Sequence, residues 1–132
     1  MQAMQRGDVP PPGIAVLLGM RLADVGEGTA RFELEPDDRM LNPLGIVHGG
    51  IAATLLDSCM GCAVHTTLAD GVGYTTGQLN IHFLRAMRPG MGRVRADGVV
   101  LHRGRRQCTA EGRLVGPSGE LIAHGTTTCL IL

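Results

Sequence analysis

The stretch NPLGIVHGGIAATLLDSCMG, residues 42–61, holds the residues of this chain best suited to chemistry. His48-Gly49-Gly50 stands immediately ahead of an apolar run. Glycines let a ligand approach the backbone closely, and free first-turn amides at the positive end of a helix can polarise a carbonyl oxygen or bind an anion. That is the physics of an oxyanion hole. The alternative is a tight loop-to-helix turn that needs glycine only for its conformation. Asp57 then appears as a lone carboxylate in a run otherwise made for burial. Burying an unpaired charge is costly, so Asp57 must either meet donors or a substrate, or pair with an arginine or backbone amides for structure alone.

Positioning these groups is the task of a helix. From Gly50 to about Thr67 the chain is too long for a strand and rich in Ala and Leu. Its apolar residues almost encircle it, which predicts a helix wrapped by other structure, most simply a sheet. Gly50, Thr54, Asp57 and Gly61, at spacings of four, three and four, form one stripe of small or polar residues along it. Such a stripe permits close approach of a second molecule or borders a cleft.

Strands supply the wrapping. MRLADVGEGTARFELE predicts two short strands, about 20–25 and 29–35, around the Gly26-Glu27-Gly28 turn, with Ala30, Phe32 and Leu34 alternating against Arg31, Glu33 and Glu35. PDDRMLNPLGIVHGG, broken by prolines and glycines, is a loop. After the helix, VGYTTGQLNIHFLRA alternates Leu79, Ile81 and Phe83 against Gln78, Asn80 and His82. GRVRADGVVLH, RRQCTAEGRLV and GELIAHGTTTCLIL follow, separated by the turn signals RPG, RG and GPSG, which predicts three connected hairpins. The expected fold is α+β, a curved antiparallel sheet wrapped around one long central helix. Residues 1–12, polar and ending in three prolines, read as a flexible N-terminal arm, and residues 13–132 as a single domain.

Composition narrows the function. A chain of 132 residues fits one domain, and its formal net charge of zero gives no global field to attract nucleic acid or an anionic membrane. The aromatics are Phe32, Tyr74 and Phe83 alone, too few for a base-stacking platform. No apolar run approaches the roughly 18–20 residues of a membrane span, and no signal-peptide pattern opens the chain, so a cytoplasmic protein is expected. Cys59 and Cys62 form a C-x-x-C inside the helix with no second ligand pair, which reads as buried small hydrophobes and predicts no metal.

NPLGIVHGGIAATLLD closely resembles the N-x-x-G-x-x-H-G-G-x(6)-D pattern of the hotdog-fold acyl-CoA thioesterases of the phenylacetate-degradation type. GQLNIHFLRAMRPG and GELIAHGTTTCLIL look like the family's following and closing strands, so the similarity runs from about Leu18 to the C-terminus. The resemblance implies a hotdog fold and hydrolysis of an aromatic or medium-chain acyl-CoA to free acid and coenzyme A. It implies no cofactor beyond the coenzyme A of the substrate, and self-association into a homodimer or homotetramer. Position by position, it implies Asp57 as general base or nucleophile, the Gly49 backbone N–H polarising the thioester carbonyl, and the Asn42 side chain helping to hold that carbonyl. His48 would orient the loop and substrate, and Thr76 would orient the attacking water, with Thr75 as the competing register. Gly50, Thr75, Arg85, Arg88, Arg103, Arg105 and Arg106 are the candidates for contacts with the substrate and its phosphates, a task that suits bidentate guanidinium groups. Ala86 departs from the proline that relatives commonly carry in that segment. Leu44, Ile46, Met60, Leu84 and Met87 are candidates for the acyl pocket.

Helical geometry adds a constraint. Gly49 and Asp57 are eight positions apart, so at ~1.5 Å per residue they lie roughly 12 Å apart along the helix. Groups acting on one carbonyl must sit about 3 Å from it. If both are catalytic, Gly49 of one subunit must meet Asp57 of another, and a symmetric dimer holds two equivalent sites. A non-catalytic acyl-CoA-binding protein would keep the pocket without the reaction. An acyl dehydratase would pair a histidine with an acidic residue.

Overall fold

The alternation of Ala30, Phe32 and Leu34 does what its period requires: in the computed structural model, which describes all 132 residues, these side chains point into the core and their neighbours stay at the surface. Strands β1 (Arg21–Gly26) and β2 (Thr29–Leu34) pair antiparallel about the Glu27-Gly28 turn. Helix α3 (Gly49–His65) carries the apolar run, and β3 (Tyr74–Phe83), β4 (Val94–Arg103), β5 (Gln107–Val115) and β6 (Leu121–Ile131) follow. The six strands form one antiparallel sheet wrapped around α3, the expected hotdog arrangement. Leu55, Leu56, Cys59, Met60, Ala63 and Val64 of α3 are fully buried against it. No helix is long and apolar enough to cross a membrane.

Strand order corrects the expected run of three hairpins. The sheet is ordered β1-β2-β4-β5-β6-β3, so the RG and GPSG signals mark true hairpins but RPG does not. β3 pairs with β6, and β4 pairs with β2. The segment between β3 and β4 instead crosses over, pinned where the Leu84 and Arg85 N–H groups donate to Ile122 O and the Gly90 N–H donates to Pro36 O. A turn signal reports local backbone geometry, and it carries no information on whether the strands on either side become neighbours.

This order gives the sheet two unlike edges. β1 is short and covered: the expected flexible arm begins instead with helix α1 (Gln2–Gln5), which packs on β1 and donates from Gln5 Nε2 to Ala23 O at 3.2 Å. Met1 and Met4 rest against the core, which is why this part of the arm folds back. A second short helix, α2 (Gly13–Leu18), leads into β1 and ends at Gly19 in the left-handed conformation. At the other edge, β3 has ten residues and only β6 beside it. Its helix-facing Leu79 and Phe83 remain 36% and 57% exposed. A long unpaired edge with open apolar side chains is a template for another strand.

The sheet meets α3 through a glycine trough. Gly98 and Gly112 are cross-strand partners, and both face the helix. A Cβ on Gly98 would overlap the Cys59 carbonyl and lie 2.8 Å from Met60 N, while one on Gly112 would lie 2.9 Å from Met60 Cγ. Gly98 confronts backbone that cannot rotate away. Gly98→Ala is therefore expected to lower unfolding free energy by about 1–3 kcal/mol through overpacking, read as a reduced midpoint in urea. Gly112→Ala, which faces only the flexible Met60 side chain, should cost less. Met60 itself is fully buried in the core between helix and sheet.

Candidate active site

Two elements converge ahead of α3. The 41–47 loop closes on itself through a Leu41–Val47 bridge, and Asn42 Oδ1 accepts the N–H groups of Leu44 at 2.9 Å and Ile46 at 3.3 Å. The loop is tied down further where His48 N–H donates to Met40 O and Val47 N–H donates to Met87 O. With its oxygen so engaged, Asn42 keeps its amide N–H groups without a protein acceptor. Asn42 lines an apolar hollow of about 280 Å³, together with Gly49, Phe83 and Arg85.

The His-Gly-Gly motif resolves into distinct roles. His48 is the N-cap of α3, its Nδ1 accepting the Gly50 N–H at 2.8 Å, so the Gly50 amide is already satisfied. Gly50 is glycine for that reason: a Cβ there would lie 2.9 Å from His48 Nδ1. Gly49, at the first helical position, has no acceptor for its N–H within the chain. That amide opens beside the hollow at the positive end of the helix dipole, where a carbonyl oxygen would be polarised. Phe83, which the sequence reading did not single out, stands against it; a Cβ on Gly49 would be 3.4 Å from the Phe83 ring.

Asp57 lies two turns further on, half-buried, and pairs with neither an arginine nor a backbone amide. Its Oδ1 accepts from the Thr76 hydroxyl at 2.8 Å. The register between Thr75 and Thr76 is thereby decided: Thr76, opposite Cys129, faces the helix, and Thr75, opposite Leu130, projects from the other face of the sheet, away from Asp57. The stripe of small residues turns toward β3. Thr54 Oγ1 donates back to Gly50 O at 2.8 Å, and bare Gly61 accommodates the Tyr74 ring.

Six of the twelve arginines have carboxylate partners: Arg6, Arg21, Arg31, Arg39, Arg93 and Arg95. Arg85, Arg88, Arg103, Arg105 and Arg106 are all among the unpaired ones. They do not converge. Arg85 and Arg88 follow the Phe83 end of β3, whereas the other three sit at the β4–β5 hairpin beside the Tyr74 end, with Arg103 donating to Gly104 O. Of the remaining pocket candidates, Ile46, Leu84 and Met87 line the Gly49 hollow, while Leu44 is 84% exposed.

Comparison with known proteins bears on what this arrangement is. The family model of the Thioesterase superfamily matches residues 44–123, a span that holds the His-Gly-Gly motif, Asp57 and Thr76. The chain belongs to the thioesterase superfamily. A provisionally named esterase of Halobacterium salinarum is 33% identical over 129 residues, covering 94% of this chain and 83% of the relative. The 1,4-dihydroxy-2-naphthoyl-CoA hydrolase of Escherichia coli is 28% identical over 116 residues, covering 87% and 83%. A provisionally assigned thioesterase from Ralstonia eutropha, a phenylacetic acid degradation-related protein, superposes with a TM-score of 0.88 at 34% identity over 98% of this chain and 97% of its own.

As a thioesterase the chain is a thioester hydrolase by class, and its cysteines have no visible part in that chemistry. Cys59, Cys108 and Cys129 are buried, and burial pushes the Cys62 thiol up to about 11, far from the thiolate form a nucleophile needs. Cys59 and Cys62 pack as small hydrophobes, as their setting inside the helix suggested, and Cys108 and Cys129 face the core from β5 and β6.

Proposed function

We propose that this thioesterase hydrolyses an acyl-CoA to free acid and coenzyme A in a site completed by two subunits. One observation carries the reading. The Asp57 carboxylate, held by Thr76, and the free Gly49 N–H lie on one continuous helix roughly 12 Å apart along its axis, the second beside an apolar hollow that does not include the first. Neither half is sufficient alone.

The β3 edge supplies a way to join them. α3 runs antiparallel to β3, with Gly49 against Phe83 and Gly61 against Tyr74. Antiparallel pairing of two β3 edges about a two-fold axis brings the Phe83 end of one chain to the Thr76 end of its partner. The thioester carbonyl then lies at the Gly49 N–H and Asn42 amide of one subunit, facing the Asp57 carboxylate of the other. Asp57 activates a water oriented by Thr76, or attacks the carbonyl itself. The amide stabilises the developing oxyanion, an interaction commonly worth about 3–4 kcal/mol per donor. His48 holds the amide in place as a cap, and because its Nδ1 already accepts the Gly50 N–H it is poorly placed for the acid–base work of a dehydratase.

A free-thiol assay over phenylacetyl-, hydroxybenzoyl- and straight-chain acyl-CoAs tests the reading. Release of coenzyme A with at least one of them is the expected result. Saturable binding with no thiol release from any would replace the enzyme by an acyl-CoA-binding protein.

A further inference from the structure

The zero net charge conceals a division of charge along the chain. Residues 1–70 hold four arginines and nine carboxylates, whereas residues 71–132 hold eight arginines and three carboxylates, Asp97, Glu111 and Glu120. The positive half is the one that carries the open β3 edge. It also holds all six arginines without a carboxylate partner: Arg85, Arg88, Arg103, Arg105, Arg106 and Arg113. Arg113 alternates with Gly112 and so projects from the face of the sheet away from α3. The other five stand at the two ends of β3.

Both groups are held by the backbone. Arg105 and Arg106 form the tip of the β4–β5 hairpin, where the Gly104 N–H donates to Gln107 O at 3.0 Å and Arg106 O accepts the Ile131 N–H at 2.8 Å. Arg103 is already engaged with Gly104 O. Arg85 lines the Gly49 hollow, its N–H donating to Ile122 O at 3.1 Å, and Arg88 follows in the crossover. Within one chain the ten residues of β3, at ~3.3 Å each, keep the two groups roughly 30 Å apart.

Antiparallel pairing of two β3 edges reverses this. Tyr74 lies opposite Ile131, which bonds to Arg106, so Arg106 closes a row that starts at the Tyr74 end of the edge. The Phe83 end of the other subunit, followed by its Arg85, meets that end. Arg85 of one subunit and Arg106 of the other then stand three strand spacings apart, roughly 14 Å between backbones. Two extended arginine side chains narrow that gap from both sides.

We infer that the two arginine groups form one phosphate site per active site, divided between subunits. Arg85 and Arg88 come from the subunit that supplies Gly49, and Arg105 and Arg106 from the one that supplies Asp57. The inference rests on the shared-site reading above. Guanidinium groups bind phosphate bidentately, and none of these four gives up a carboxylate to do so. The pyrophosphate and 3′-phosphate of coenzyme A supply the matching negative charge, so the enzyme selects thioesters by their nucleotide. A thioester on bare pantetheine presents the same reacting atoms without that charge.

The test compares thiol release from three thioesters of the acyl group cleaved fastest in the panel above: on coenzyme A, on dephospho-coenzyme A and on pantetheine. Wild-type kcat/KM should fall in that order, and KM should rise with salt for the first and not for the last. The double variants Arg85→Gln with Arg88→Gln, and Arg105→Gln with Arg106→Gln, should each raise KM for acyl-CoA about tenfold or more with kcat kept, through lost charge-assisted hydrogen bonds. Turnover at saturation reports that each is folded. Heterodimers of each double variant with an Asp57→Asn chain, co-expressed and isolated through two affinity tags, decide the division. Their one working site takes Arg85 and Arg88 from the Asp57→Asn chain and the hairpin from the variant. KM should therefore return to the wild-type value for the Arg85 and Arg88 variant and stay raised for the Arg105 and Arg106 variant. Any other pattern, or equal wild-type kcat/KM for acyl-CoA and acyl-pantetheine, overturns the inference and leaves the thioesterase reading standing. No thiol release by the wild type from any acyl-CoA, or no heterodimer to isolate, removes the shared-site reading, and the inference with it.

Discussion

Asp57→Asn should abolish most thioester hydrolysis while leaving the protein folded. Asparagine has the same shape and keeps an oxygen that can accept the Thr76 hydroxyl, which in the native chain donates to Asp57 Oδ1 at 2.8 Å. No cation is left unpaired by the change, because Asp57 has no arginine partner, so the shift in stability should stay within about 0.5 kcal/mol. What asparagine cannot do is take a proton from water or form an acyl intermediate. A positioned base or nucleophile is worth roughly 10²–10⁴ in rate, and the loss should appear in kcat, with KM little changed. Thermal unfolding and thiol release measured on the same preparation separate the two effects. Wild-type turnover in a folded Asp57→Asn protein would refute the assignment.

Gly49→Pro makes the complementary cut. Gly49 is the first helical residue, and the preceding His48 has φ −58° and ψ 134°, a conformation that a following proline accepts. Proline at this position lacks only an N–H that α3 does not use, and its ring meets the half-open Phe83 side chain, so the helix should survive. The substitution deletes the one amide proposed to polarise the carbonyl. The expected loss is about 10²–10³ in kcat, the usual effect of removing an oxyanion donor.

Mixing the two variants tests whether the site is shared. In a heterodimer of Asp57→Asn and Gly49→Pro chains, one site combines both defects and the other joins the intact Gly49 of the first chain to the intact Asp57 of the second. Random reassociation puts half of the chains into heterodimers with one working site of two, so about a quarter of wild-type activity should return. A site contained within one chain would recover nothing, however well the subunits mixed.

Much of this geometry was open to a reader of the sequence because a helix is a ruler. The fixed rise per residue places Asp57 two turns beyond Gly49 whatever surrounds it, and the alternation of Ala30, Phe32 and Leu34 names the buried face of β2 without reference to its neighbours. The central helix, the turns of the β1–β2, β4–β5 and β5–β6 hairpins and the small-residue stripe are local properties of this kind. Other features misled for the same reason. RPG has the composition of a turn, yet it lies in a crossover, and the proline-rich arm begins with a helix because Met1 and Met4 find the core.

The sequence by itself determined which residue types stand on the helix and how far apart they are, and so that Gly49 and Asp57 cannot serve one carbonyl within one chain. Only the tertiary structure decided that Thr76 rather than Thr75 meets Asp57, that Gly50 is capped by His48 while Gly49 is free, that Tyr74 sits on Gly61, and that β3 lies at an open edge. Apart from the His48 cap, which is local to the start of α3, these follow from pairing β3 with the distant strand β6. A strand's own period fixes which residues share a face, but its partner, and the bulge between Thr76 and Gln78, fix which of them reaches the helix.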